Sequence, residues 1–166
     1  MRTDVSRRTS YYLEPGYIFC ATEPATVHAV LGACVAVCLW DKKLCFGGIN
    51  HFLYPSTREQ ERATAKFGNV ATLELLRLME QAGSKRDNLL AQILGGASPL
   101  TGSGRGIGSK NVEAARQTLR QKRLRICSED VGGHMGRKIV FDSLTGHVAV
   151  LKVFELRQED WLVDHP

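Results

Sequence analysis

The chain has 166 residues, 43% of them apolar and 23% charged, with a formal net charge of +5. That length fits one domain with its own core, and the balance argues against global disorder. The charge is too modest to mark a nucleic-acid binder, and no aromatics interleave with the basic residues for base stacking.

Residues 1–16 read as a polar arm closed by the Pro15-Gly16 turn. Val27–Leu31 and Val35–Trp40 are short, β-branched and apolar, which is a strand pattern. Asp41, Lys42 and Lys43 form a turn. Leu44–Phe46 and Ile49–Tyr54 are further strand candidates, with Gly47-Gly48 as a bulge or a close backbone approach. Pro55 ends the run, and residues 56–67 are polar loop or a short helix start.

Asn69 is expected to cap a helix to about Ala82, with Gly83 as its stop. Val70, Leu73, Leu76 and Met79 make one apolar row. Ala71, Leu75, Leu78 and Ala82 broaden it, so this helix is well buried. Leu90–Leu94 reads as a strand ended by Gly95-Gly96. A glycine-rich loop runs over residues 95–108. Ser109 then caps a second helix to about Lys122, striped by Val112, Ala115 and Leu119.

Leu124–Cys127, Lys138–Phe141 and His147–Phe154 are strand candidates, the last two joined by the connector Asp142-Ser143-Leu144-Thr145-Gly146. The tail from Glu155 is polar apart from Trp161, Leu162 and Val163. Many short strands with two main helices predict an α/β fold, a sandwich of β-sheets in one domain over residues 17–154. The arm 1–16 and the tail 155–166 flank it.

Arg2, Arg7 and Arg8 are followed by Thr9, Ser10, Tyr11 and Tyr12, not by an apolar stretch, so no signal peptide is read. The longest apolar run, Val35 to Trp40, is too short for membrane insertion. Cys20, Cys34, Cys38, Cys45 and Cys127 are an odd count, which suits reduced thiols and a cytoplasmic location. No second Cys/His pair stands at zinc spacing, so neither metal nor cofactor is called for. Arg105, Lys110, Arg116, Arg120, Lys122, Arg123, Arg125, Arg137 and Lys138 make the second half basic. They form either a solvated face or a docking face for an acidic partner. The loop Gly102-Ser103-Gly104-Arg105-Gly106-Ile107-Gly108 fits no phosphate-binding motif.

Chemistry concentrates between His28 and Pro55. Cys34 follows Leu31-Gly32-Ala33 at the mouth of a strand, and His51 lies just after Gly47-Gly48. Gly32 allows an unusual backbone or a close substrate approach, and the amides around Ala33 and Cys34 are placed to stabilise an oxyanion. A thiol needs a nearby base or cation to become a thiolate, and His51 is the downstream candidate. Spacing alone leaves the bland reading open: Cys34 as a small buried hydrophobe, His51 as a hydrogen-bonded core histidine.

The run Leu31-Gly32-Ala33-Cys34-Val35-Ala36-Val37, with Gly47-Gly48-Ile49-Asn50-His51 and Pro55, resembles the signature of the CheD family of chemoreceptor glutamine deamidases. Matching runs include Phe67-Gly68-Asn69-Val70-Ala71, Gly95-Gly96-Ala97, Ile107-Gly108-Ser109-Lys110-Asn111, Glu129-Asp130-Val131-Gly132-Gly133, Gly136-Arg137-Lys138-Ile139 and Thr145-Gly146-His147-Val148. The resemblance covers roughly residues 14–153. It implies an α/β sandwich similar to cytotoxic necrotizing factor catalytic domains, with Cys34 as nucleophile and His51 as general base and acid.

It also implies chemoreceptor cytoplasmic helices as substrate, and some family members hydrolyse glutamate methyl esters as well. The family has Thr where this chain has His28, and Ser where it has Ala33. His28 either replaces that Thr as a hydrogen-bonding group, competes to protonate the thiolate, or is a water-facing strand residue. Thr26, on the same strand face, is a partial substitute. A second reading, from another class, is a regulatory binding partner of a CheC-type phosphatase acting on a phosphorylated response regulator.

Overall fold

Alternating burial organises the chain in a computed structural model, which describes residues 8–100, 106–154 and 156. The strands are β1 (Thr9–Tyr12), β2 (Ile18–Ala21), β3 (Ala25–Leu31), β4 (Val35–Asp41), β5 (Phe46–Asn50), β6 (Leu89–Gly95), β7 (Arg125–Val131), β8 (Gly136–Asp142) and β9 (Val148–Val153). The main helices are α1 (Gly68–Gln81) and α2 (Ile107–Gln121). One sheet has the order β1-β3-β8-β9 and the other β2-β5-β4-β6-β7.

Val27, Ala29 and Leu31 of β3, with Ile139 and Phe141 of β8, meet Ala36, Cys38 and Ile49 from the five-stranded sheet in one core. The other face of that sheet carries Val35, Val37 and Leu39 against Leu75 and Met79 of α1 and Val112, Ala115 and Leu119 of α2. The result is three layers: sheet, sheet, helices. β4 is the central strand and is buried on both faces, so its sequence is an apolar run without alternation. The α/β sandwich with two main helices is as expected. Among the described residues no helix is long and apolar enough to cross a membrane.

The differences lie at edges and caps. A strand, β1, sits inside the expected polar arm and pairs in parallel with β3. β2, also unexpected, pairs with β5. Both are four-residue edge strands with no buried face, so apolar alternation does not mark them. β5 starts only at Phe46, because Leu44 lies in the turn and Cys45 takes a left-handed φ of 57°. It ends at Asn50; beyond it Phe52 and Tyr54 make single bridges, to Val35 and Phe67.

α1 begins at Gly68 with Phe67 at the cap, two residues ahead of the expected cap Asn69. Asn69 instead accepts from the Thr57 amide at 3.1 Å and donates to the Thr57 carbonyl at 2.8 Å. α2 begins at Ile107 behind a left-handed Gly106, and Ser109 in its first turn donates to the Gly106 carbonyl at 3.0 Å.

The expected basic face loses Arg137, which is 2% exposed and donates to Asp130 at 3.0 Å and to the Gly132 and Met135 carbonyls. Arg116 is paired with Glu129 at 2.8 Å. Residues 1–7, Gly102-Ser103-Gly104-Arg105, and Trp161, Leu162 and Val163 of the tail lie outside the described residues.

Gly47-Gly48 is a close approach and not a bulge, since β5 runs through both in regular register with β4. A Cβ on Gly47 would stand 2.5 Å from the Leu39 carbonyl oxygen and 3.0 Å from Phe141. Backbone cannot yield as a flexible side chain does. Gly47→Ala is therefore expected to cost about 2 kcal/mol or more, read as a lowered denaturation midpoint at unchanged m-value.

Candidate active site

The β4–β5 ladder fixes where Cys34 and His51 stand. It runs from Asp41 opposite Phe46 to Cys38 opposite Ile49, and the Val35–Phe52 bridge continues the same register. Side chains alternate across a strand, so Cys34, Ala36 and Cys38 share one face with Ile49 and His51. Cys34 packs at the margin of the core between the sheets. Cys34 and His51 are diagonal neighbours in this ladder. Such positions are ~7–8 Å apart, with their side chains on one face.

His51 is 1% exposed. Its Nδ1 lies 3.0 Å from the Leu13 carbonyl oxygen. A carbonyl only accepts, so Nδ1 carries the proton and Nε2 of the neutral ring is a lone-pair acceptor. Nε2 is buried without a hydrogen-bond partner among the described residues. Burial holds the imidazole below its ordinary range, with the Leu13 bond pulling the other way. Burial pushes the half-buried Cys34 thiol up, and its own amide offsets part of that. Both shifts favour the neutral forms of the two groups, and among the described residues no hydrogen bond joins them.

The turn carrying the sulfur is held by its carbonyls. Gly32 O accepts from the Ala97 amide at 3.0 Å, Cys34 O from the Gly96 amide at 2.8 Å, and Ala33 O from Asn111 Nδ2 at 2.9 Å. Among the described residues no acceptor takes the Ala33 amide, and the Cys34 amide lies against its own sulfur. Of the two readings of Gly32, the left-handed backbone is absent; a Cβ there would meet only Leu156, at 3.7 Å, which leaves the close approach open. Two left-handed glycines, Gly95 (φ 103°) and Gly96 (φ 69°), back the turn; a Cβ on Gly95 would stand 2.3 Å from the Cys34 carbonyl oxygen.

Thr26 and His28 do share a strand face, as expected, but it is the opposite one. Val27, Ala29 and Leu31 point into the core between the sheets, so Thr26 and His28 point outward. There the Ser10 hydroxyl lies 3.2 Å from Thr26 Oγ1 and 3.1 Å from His28 Nε2. Position 28 reaches the site through its backbone. His28 O accepts from the Leu13 amide at 2.8 Å, and Leu13 O holds His51.

Two contributors escape the sequence reading. The Leu13 carbonyl is backbone and has no residue-type signal. Asn111 did have one: it is a polar residue on the buried side of α2, in step with Ala115 and Thr118.

Residues 53–152 match the family described as CheD chemotactic sensory transduction. A Sulfurimonas denitrificans protein named probable chemoreceptor glutamine deamidase CheD is 39% identical over 140 residues, covering 82% of this chain and 90% of that one. A Trichlorobacter lovleyi protein of the same name is 38% identical over 147 residues, covering 87% and 91%. An Anaeromyxobacter dehalogenans protein, probable chemoreceptor glutamine deamidase CheD 1, is 42% identical over 136 residues, covering 81% and 79%. Likeness on this scale, reaching across both helices and most of each relative's length, makes the chain a member of the CheD family.

Proposed function

We propose that this protein deamidates glutamine side chains of chemoreceptors, releasing ammonia and leaving glutamate, through a thioester on Cys34. The relatives' shared name supports the reaction. The observation that carries the chemistry is the His51 ring: Nδ1 tied to Leu13 O, Nε2 buried and without a partner among the described residues, and the ring on the strand face that Cys34 shares.

The Cys34 thiol gives its proton to Nε2 as the sulfur attacks the amide carbon. The Ala33 and Cys34 amides receive the developing oxyanion. Imidazolium Nε2–H then protonates the departing amine, which leaves as ammonia. Water attacks the thioester while neutral His51 takes its proton. The thiolate leaves, is reprotonated, and glutamate is released. Every proton is supplied by the pair or by water. In the receptor a neutral side chain becomes an anion, which changes pairing along a helix face.

The test is to incubate the protein with a receptor cytoplasmic fragment and read both ammonia and peptide mass. Glutamine peptides gaining the mass of an amide-to-acid change support the reaction; stable binding with no mass change would replace it with a docking role. In the same assay His28→Thr is expected to alter the initial rate by a factor of about two or less, as its ring faces outward. Complete loss would make His28 part of the proton path.

A further inference from the structure

We propose that Asn111 is the positioning residue that sets Cys34 against His51, an inference that rests on the two acting as a pair. Its Nδ2 donates to Ala33 O at 2.9 Å and to Leu53 O at 2.9 Å. Ala33 immediately precedes the sulfur-bearing residue, and Leu53 lies two residues after the imidazole. In the β4–β5 register Cys34 falls opposite Leu53. Beyond the Val35–Phe52 bridge no backbone hydrogen bond of the ladder joins these two segments among the described residues. One carboxamide closes the ladder where regular pairing has ended.

The orientation of that carboxamide is set by its partners. Both are carbonyls, which only accept, so the amino group must face them. Both of its protons are then used. Its Oδ1 is buried without a partner among the described residues. An orphaned buried acceptor costs free energy, so stability alone is a poor reason for an amide here. Its neighbours on α2, Val112 and Ala115, are buried apolar residues. The helix start is itself fixed close by: a Cβ on Gly108 would meet the Ala97 and Gly96 carbonyl oxygens at 2.4 and 2.5 Å. Asn111 thus transfers the rigidity of α2 to both halves of the pair without touching substrate.

Misplacing a reacting group by ~1 Å can cost about a hundredfold in rate. Asn111→Ala is therefore expected to lower kcat by about ten- to a hundredfold with KM little changed. The deciding experiment needs no substrate. The rate of iodoacetamide alkylation at Cys34, resolved by peptide mapping, is measured across pH in wild type, His51→Gln, Asn111→Ala and the double variant. If Asn111 acts by aligning the pair, each single change alters the Cys34 profile and the double variant is no worse than His51→Gln alone.

Strictly additive effects, or an unchanged profile in Asn111→Ala, would overturn the proposal. No effect of His51→Gln would instead sink the pairing itself, which keeps the two failures apart. Asn111→Ser, which keeps one donor, serves if the alanine variant does not fold and should fall between wild type and alanine; a wild-type profile in it would count against the proposal. Thr118→Ala, on the same helix, removes a buried hydroxyl bonded at 2.9 Å to Ala114 O. It should lower thermal stability and leave Cys34 reactivity alone; a matching loss of reactivity would reduce Asn111 to a general structural role.

Discussion

Cys34→Ala is expected to lower kcat for ammonia release by about 10⁴-fold or more, since in the proposed mechanism nucleophile and base act as one unit. Stability should change by about 1 kcal/mol, because only one half-buried sulfur is removed at the margin of the core. The two readouts together separate lost chemistry from lost fold. The other cysteines do not substitute: Cys20 packs on the helix-side core, its sulfur 3.5 Å from Met79 Sδ. Cys38 is buried, and burial pushes its thiol up. Cys45 and Cys127 are exposed; the first lies in the turn before β5 and the second on β7, so neither is a β4 neighbour of His51. Ammonia release surviving in the variant would remove the thioester from the mechanism.

His51→Gln is expected to cost about 10²- to 10⁴-fold in kcat, the range for loss of a positioned acid–base group. Its pH signature is more telling. Burial keeps the folded imidazole below its ordinary range, so the base is neutral at physiological pH. The acid limb of kcat/KM should lie below the usual histidine value. No rise should appear at the ordinary thiol value, because the Cys34 thiol is itself pushed up.

The same shift links to stability. The unfolded imidazole binds its proton first as pH falls, so the stabilisation is full above the unfolded value and is lost as pH drops through the folded one. Wild type should therefore lose thermal stability more steeply than His51→Gln as pH falls below the unfolded value of about 6.5. Parallel curves for the two proteins would show that His51 does not titrate as a buried group.

The helices were legible because their apolar rows recur at helical spacing, and both end within a residue of where glycine and basic residues suggest. Their starts were not, since Asn69 and Ser109 look like caps but serve the neighbouring loop and the first turn. Edge strands β1 and β2 stayed hidden because pairing on one side, not burial, makes them strands.

For the site, Cys34 and His51 could be singled out by residue type, while their shared face needed the register. The outward turn of Thr26 and His28 follows from strand alternation once Val27 and Ala29 are known to face the other sheet. The carbonyl of Leu13 could not be read at all, because any residue supplies one. Asn111 could have been found by asking why an amide interrupts a buried helix stripe.

The central claim is a neutral pair in which His51 holds its proton on Nδ1, toward Leu13 O, and offers Nε2 to the Cys34 thiol. Nitrogen NMR of the His51 ring at neutral pH reads that directly. The expected spectrum has a protonated Nδ1 and a bare Nε2, with titration to imidazolium only below the ordinary histidine range. A proton on Nε2 in the neutral ring, or an imidazolium already present at neutral pH, would contradict it.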